Sequence, residues 1–110
     1  MVICTYRSGG DVAAALRACA ASGISDSQIT VVDNGSDDGT LELLLAQPDV
    51  HVFSSLDSYA ANTMGMAWTN AILEAFADDQ WALIVDADEL FIYPRYEQVS
   101  LCLLYTSRCV

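Results

Sequence analysis

Two acidic clusters in the sequence have the residue types to bind a charged ligand. The first is a D-x-D formed by Asp86 and Asp88, directly after the apolar run 81–85. Hard divalent cations such as Mg²⁺ and Mn²⁺ prefer carboxylate oxygens, and alternate residues of an extended segment point the same way. The pair could therefore hold one cation, or a cation and a ribose. Such acids also cap helices or lie in solvent, so the D-x-D alone leaves both interpretations open.

The second cluster, residues 33–40, reads DNGSDDGT and follows the apolar run 29–32. Asp33 could accept hydrogen bonds from a base or ribose, and the glycines permit a tight turn. The same residues also make a good turn and helix cap without any ligand. That alternative does not explain why a second acidic cluster follows another strand. The remaining residues that form the turn and the cap are Asn34, Gly35, Ser36, Asp38, Gly39 and Thr40.

The apolar runs and amphipathic segments alternate as βαβαβαβ, which predicts an α/β fold with a parallel sheet covered by helices on both faces. The predicted strands are 2–6, 29–32, 50–53 and 81–85, with a further short strand at 90–93. The predicted helices are 11–22, capped by Asp11, then 39–47, ended by Pro48, and 61–77. The side chains expected to pack on the sheet are Val12, Leu16, Cys19, Leu41, Leu44, Leu45, Met64, Ala67, Trp68, Ala71, Ile72 and Phe76.

The topology should bring the polar clusters to one edge of this sheet. Ligands of open α/β sheets bind beyond the carboxyl ends of the strands, where the strand order reverses. Residues 5–7, 33–40 and 86–89 all follow strands, so they surround one crevice if the fourth strand lies beside the first. Arg7 is the only arginine placed to meet a phosphate there.

Composition excludes several classes of function. A net charge of −11, from fifteen acids against four arginines, makes nucleic acid an unsuitable partner. No apolar run reaches the ~20 residues of a transmembrane segment, and we expect no secretion signal, because the first residues lack a basic region followed by an apolar region and a cleavage site. Cys4 and Cys19 are expected to be small core residues, which suggests a reducing, cytoplasmic setting. His51 has no partner cluster and is expected to be structural.

The motif VVDNGSDDGT, followed later by WALIVDADELF, resembles the family 2 glycosyltransferases. It is most similar to the subset whose metal motif reads D-A-D-E. The resemblance covers residues 2–94 and implies a GT-A fold, here its N-terminal half, as a three-layer sandwich with a mainly parallel sheet. It also implies a nucleoside-diphosphate sugar donor, Mn²⁺ or Mg²⁺, an acceptor that stays unknown, and usually inversion at the anomeric carbon.

The resemblance assigns roles by position. Asp86 would contact the ribose or the metal, Asp88 would ligate the metal directly, and Asp33 would recognise the base. The cation would stabilise charge on the leaving phosphate, and a general base would deprotonate the acceptor. The remaining donor-site residues implied by the resemblance are Thr5, Tyr6, Arg7, Asn34, Ser36, Asp38 and Thr40.

Two features depart from the family pattern. No acid in a matching motif follows the D-x-D to serve as the base, so the catalytic residue stays unassigned, and segment 59–70 lacks the basic residue often found there. We therefore expect a donor-binding part over residues 1–100, truncated after the metal motif. Residues 101–110 read as an anomalous tail that is not native to the fold.

Three other functions stay open at this point. A phosphatase of the haloacid-dehalogenase type also uses D-x-D, but there the motif follows the first strand and is usually followed by a small hydroxyl residue. A nucleotidyltransferase would carry a glycine-rich loop with an arginine after the first strand, which residues 7–10 match only faintly. The third is an inactive or binding-only fragment.

Overall fold

The computed structural model describes residues 1–77, 79–89, 92 and 95–99. The strands are β1 (Val2–Thr5), β2 (Thr30–Asp33), β3 (His51–Ser54) and β4 (Ile84–Asp86). The helices are α1 (Gly9–Ala21), α2 (Thr40–Leu45) and α3 (Met66–Phe76), with one turn of 3-10 helix at Asp26–Gln28. All strand pairs are parallel, in the order β3-β2-β1-β4. The predicted α/β class and parallel sheet are confirmed.

Strand β1 is central, and side chains that alternate along it enter two different cores. Ile3 faces a larger core beneath α1 and α2, whereas Val2 faces a smaller one beneath α3. The sheet therefore has helices on both faces, as expected. The larger core consists of Ile3, Val12, Leu16, Cys19, Ile29, Val31, Leu44, Val50 and Ala87, and the smaller core of Val2, Val32 and Ile72.

Helix α1 ends as the sequence predicts but begins earlier. Its N-cap position is Ser8, so the predicted cap by Asp11 is wrong. Asp11 instead lies in the first turn, where its negative charge is favourable beside the positive end of the helix dipole. At the other end Gly23 takes a φ of +80°, and the Ile24 N–H donates to the Cys19 carbonyl at 2.9 Å. This left-handed termination satisfies carbonyls of the last turn.

Helix α3 is shorter than predicted because the chain before it is turned, not helical. Thr63, Met64 and Gly65 all have positive φ, which prevents a helix from beginning before Met66. Of the six residues expected to pack on the sheet, Ile72 is buried and Trp68 is partly buried. These two are four residues apart and so share one face. The others are exposed, Phe76 at 64%.

The remaining boundaries differ by a few residues. In α2, Leu44 is fully buried, as predicted, but Leu45 is 66% exposed because it lies beyond the stripe that faces α1. Strand β4 begins at Ile84, not at position 81. The predicted strand 90–93 and the tail 101–110 fall almost entirely outside the described residues. Among the described residues, none of the helices has the length and apolar character to cross a membrane.

We expect Ile3→Ala to reduce the free energy of unfolding by about 2–5 kcal/mol, because it leaves a cavity under the central strand. Urea unfolding followed by circular dichroism measures this loss. Leu45→Ala is the matched control, since its side chain is already exposed, and should change stability by less than about 0.5 kcal/mol. Equal losses in the two variants would contradict the described core.

Candidate functional site

The candidate site is the edge of the sheet where the four strands end. The strand order reverses between β1 and β4, since the chain passes from β1 through β2 to β3 and then returns to pair β4 with β1. Such a reversal opens a crevice beyond the carboxyl ends of the strands. The fourth strand lies beside the first, which is the condition that the sequence left open. The loops that follow all four strands meet at this edge.

Asp33 ends β2 with a fully buried carboxylate. Its oxygens accept hydrogen bonds from the backbone N–H of Ser36, at 3.0 Å, and from the Ser36 hydroxyl. A buried carboxylate is costly unless it is hydrogen-bonded, so these bonds fix the turn that follows the strand. Gly35 lies inside this turn with a φ of +67°, a conformation that a side chain would strain. Asp33 therefore organises the loop in which it lies.

Arg7 connects the loop after β1 to the loop after β2. The Arg7 backbone N–H donates to the Ser36 hydroxyl oxygen at 2.9 Å. Because this hydroxyl also donates to the Asp33 carboxylate, Ser36 connects Arg7 to Asp33 by hydrogen bonds. The Arg7 guanidinium Nε lies 3.0 Å from Asp37 Oδ1, and both side chains of this ion pair are exposed. Exposed ion pairs contribute little to stability. The guanidinium could therefore exchange Asp37 for a phosphate oxygen at little cost.

Asp38 positions the start of α2. Its Oδ1 accepts from the Thr40 N–H at 3.2 Å and from the Thr40 hydroxyl at 2.6 Å, which lowers the pKa of Asp38. The N-cap position of α2 is Gly39, so neither predicted capping residue holds it: Asp38 precedes it, and Ser36 turns back to Asp33. Thr40 is buried, and a Cβ at Gly9 would lie 3.3 Å from its hydroxyl oxygen, so α1 and α2 begin in close contact.

Asn34 fastens the loop after β3 to the same edge. Its side-chain amide donates to the carbonyls of Ser55, at 2.9 Å, and Asp57, at 3.0 Å. From the sequence, Asn34 belongs to the turn motif, and the loop after β3 is not part of the predicted site. Segment 54–58 contains no sequence motif, so its connection to the site is seen only in the tertiary structure.

Asp86, Asp88 and Glu89 form an acidic turn after β4. The Asp86 N–H donates to Glu89 Oε2 at 3.2 Å, and the Glu89 N–H donates to the Asp86 carbonyl at 3.1 Å. Partial burial, followed by the charges of Glu89 and Asp88, raises the pKa of Asp86. A bound cation would reduce this repulsion between the acidic side chains.

The donor set of this turn fits Mg²⁺ or Mn²⁺ only if other ligands contribute. Within the described ranges, no group of three or more His, Cys, Asp or Glu side chains is arranged to hold a metal ion. Mg²⁺ usually takes one or two carboxylates from the protein and fills its shell with water and substrate phosphates. Asp86 and Asp88 supply that number, so the residues fit a cation that arrives with phosphate.

The sheet brings the acidic clusters to one edge but not to one face. Asp33 lies level with Thr5, on the side of α1 and α2. Asp86 lies level with Cys4, which contacts Thr69 of α3 at 3.9 Å, on the opposite side. Two strand spacings, about 10 Å, separate β2 from β4. The two clusters therefore lie on opposite faces and not in one common crevice, contrary to the expectation. A ligand that contacts both would pass over the end of β1, where the Thr5 hydroxyl is buried with no hydrogen-bond partner among the described residues.

The described cavities do not lie on this path. Two of them, about 580 and 400 Å³, lie on the α3 face of the sheet, the larger at the amino ends of the strands. The smaller is lined by Trp68, Phe53 and Phe76, and the Trp68 indole N–H is buried with no partner in the described part of the chain. The chemistry-bearing side chains instead line an open edge, so we assign the site from register and hydrogen bonding.

Comparison with known protein families places the chain in a family. The sequence model described as glycosyl transferase family 2 matches residues 1–99, which include β1 to β4 and both acidic clusters. A search of curated proteins and a search of solved structures gave no match.

Ser36→Ala should lower the free energy of unfolding by about 1–3 kcal/mol, because it removes one partner of the buried Asp33 carboxylate and the acceptor of the Arg7 N–H. Urea unfolding measures the change. Ser22→Ala, at the exposed end of α1, is the control and should change stability by less than about 0.5 kcal/mol. A Ser36→Ala variant with the wild-type free energy of unfolding would contradict the hydrogen-bonded connection through Ser36.

Asp86→Asn should raise the melting temperature at pH 7. The raised pKa of Asp86 means that the folded state binds more protons than the unfolded state, so stability falls as the pH rises through that range. The gain should shrink as the pH falls through the raised pKa, and vanish below the ordinary carboxyl pKa of about 4. Melting curves at several pH values measure this. Asp49→Asn removes an exposed charge elsewhere. An equal rise in its melting temperature would show that the effect comes from net charge and not from the surroundings of Asp86.

Proposed function

Because the chain belongs to glycosyl transferase family 2, we propose that its carboxyl-end edge binds a nucleoside-diphosphate sugar as the donor for transfer to an acceptor. The observation that carries this proposal is the strand register, which sets Thr5 level with Asp33 and Cys4 level with Asp86 across three adjacent strands. The two acidic clusters therefore flank the end of β1, at the reversal of strand order where ligands of such sheets bind.

The donor would lie across the end of β1, with its nucleoside over β2 and its diphosphate over β4. The separation of about 10 Å between these strands suits the length of a nucleoside diphosphate. The nucleoside side would be the loop that Asp33, Asn34 and Ser36 hold together, with Thr5 and Tyr6 beside it. The Thr5 hydroxyl, which has no hydrogen-bond partner within the described ranges, supports this path, because a buried polar group without a partner is costly until a ligand satisfies it.

Asp86 and Asp88 would hold Mg²⁺ or Mn²⁺ on the diphosphate side. The cation would supply Lewis-acid stabilisation of the charge that develops on the leaving diphosphate. The chain itself supplies little positive charge, since its net charge is −11 and the Arg7 guanidinium is paired with Asp37. A bare diphosphate would therefore meet a repulsive field at this edge. Arg7 would exchange Asp37 for a phosphate oxygen as the donor binds.

Donor binding does not by itself establish transfer. Glu89 and Glu97 are the described acids that follow the D-x-D, and Glu89 is already bonded to the Asp86 N–H. We therefore assign no general base. No observation favours the phosphatase or the nucleotidyltransferase that the sequence left open, and binding without transfer is an outcome of the experiment below.

We infer that the chain works in a reducing compartment. Cys4 and Cys19 are both free, and burial raises the pKa of each thiol. A neutral thiol is neither a nucleophile nor a metal ligand, so the two side chains serve packing.

Calorimetric titration tests the proposal with uridine and guanosine diphosphates as probes. The wild-type chain should bind one of them in the presence of Mn²⁺, and binding should disappear when a chelator removes the metal. Asp88→Asn should weaken binding at least about tenfold, because it removes a charged ligand of the cation. Transfer is assayed separately, as release of the nucleoside diphosphate from its sugar conjugate.

Asp49→Asn is the matched control. It makes the same change of charge in the exposed turn before β3, at the opposite edge of the sheet, and should leave binding unchanged. Equal effects of the two substitutions would indicate net charge, not metal ligation. Binding that survives the chelator would remove the metal from the proposal, and absence of binding by the wild-type chain would overturn it.

A further inference from the structure

Leu56 is an exposed apolar side chain that lies directly on the loop proposed to meet the nucleoside. It is 91% exposed and follows β3 by two residues, at the carboxyl edge of the sheet. A Cβ built on Gly35 would lie 2.9 Å from Leu56 Cδ2, so the leucine occupies the space above the glycine backbone. Gly35 in turn lies between Asp33 and Ser36, which are hydrogen-bonded to each other. Leu56 is therefore part of the site surface, although no sequence motif contains it.

The backbone around Leu56 is held on both sides. The Asn34 amide bonds the carbonyls of the residues immediately before and after it, at 2.9 and 3.0 Å. The Ser55 N–H donates to the Asp33 carbonyl at 2.9 Å, and the Ser55 hydroxyl accepts from the Asp57 N–H at 3.2 Å. These four bonds fix the position from which the leucine projects into solvent, so little ordering entropy is left to lose when a ligand covers it.

Besides the exposed ion pair of Arg7 and Asp37, a ligand can reach apolar and aromatic side chains here. The Asp33 carboxylate is fully buried and engaged by Ser36, so its oxygens do not face solvent. The side chains of Leu56, on the β3 side of the turn, and Tyr6, on the β1 side, are both exposed. A nucleobase has two apolar faces and a polar rim, and it is the part of the donor that gains most from covering such side chains.

We propose that Leu56 is a base-contacting residue, and that one face of the donor's nucleobase lies on its side chain. This inference rests on the proposed function, because it assumes that a nucleoside diphosphate binds this edge. The contact is apolar and contains no hydrogen bond, so its contribution depends on the area of the leucine that the base covers. A purine covers more of the leucine than a pyrimidine does and gains more from the contact.

Titration of Leu56→Ala with three probes tests the proposal, each in the presence of Mn²⁺. The probes are uridine diphosphate, guanosine diphosphate and inorganic pyrophosphate, the last of which has no base. The Kd of the nucleoside diphosphates should rise roughly three- to tenfold, as expected for the loss of apolar area covered by a base. The Kd of pyrophosphate should not change.

Leu45→Ala is the matched control, because it makes the same truncation on an exposed leucine at the far end of α2. It should leave all three Kd values unchanged, and both variants should keep the wild-type unfolding midpoint in urea. Unchanged nucleotide binding in Leu56→Ala, or equal weakening for pyrophosphate, would overturn the inference while the proposed function stands. Failure of the wild-type chain to bind any nucleoside diphosphate would overturn both.

Discussion

The buried carboxylate of Asp33 is the constraint on which the candidate site depends. A carboxylate that is fully removed from solvent at a strand end must find donors nearby, and both described donors come from Ser36. This requirement closes the turn through Gly35, and the same serine then receives the Arg7 N–H. One buried acid thus fixes the loops after two neighbouring strands relative to each other. Its role in the structure is hydrogen bonding within the loop, and any contact with a ligand comes in addition.

The sheet distributes the rest of the site over its two faces. Alternation along parallel strands in register sends Thr5 and Asp33 to one side, and Cys4 and Asp86 to the other. A ligand that meets both acidic clusters must therefore pass over the end of β1. This geometry suits an elongated ligand with chemically different ends, which supports the proposed nucleoside diphosphate over a compact phosphoester.

Electrostatics makes the edge asymmetric. At β2 the acids are satisfied by hydrogen bonds from Ser36 and Thr40, so the loop is stable as it stands. At β4 the acids face one another, and the pKa of Asp86 is raised by partial burial and by its acidic neighbours. Repulsion left in a folded site is a local cost in stability that a cation can relieve. In the proposed function, the stable half would meet the nucleoside, and the strained half would meet a metal that arrives with the ligand.

The sequence by itself determined the class of fold, the order of its elements and the edge on which the acids lie. Apolar periodicity and strand-end position are local properties, so they could be predicted without knowing any contact. The start of α3 could not, because it depends on positive φ at Thr63 and Met64, which no propensity specifies. Only the tertiary structure decided three further features. These are the face of the sheet on which each acid lies, the burial of Asp33, and the hydrogen bonds that hold the backbone around Leu56. Each of these depends on register between strands or on a hydrogen bond between loops distant in the chain, and such pairings leave no local pattern in the sequence.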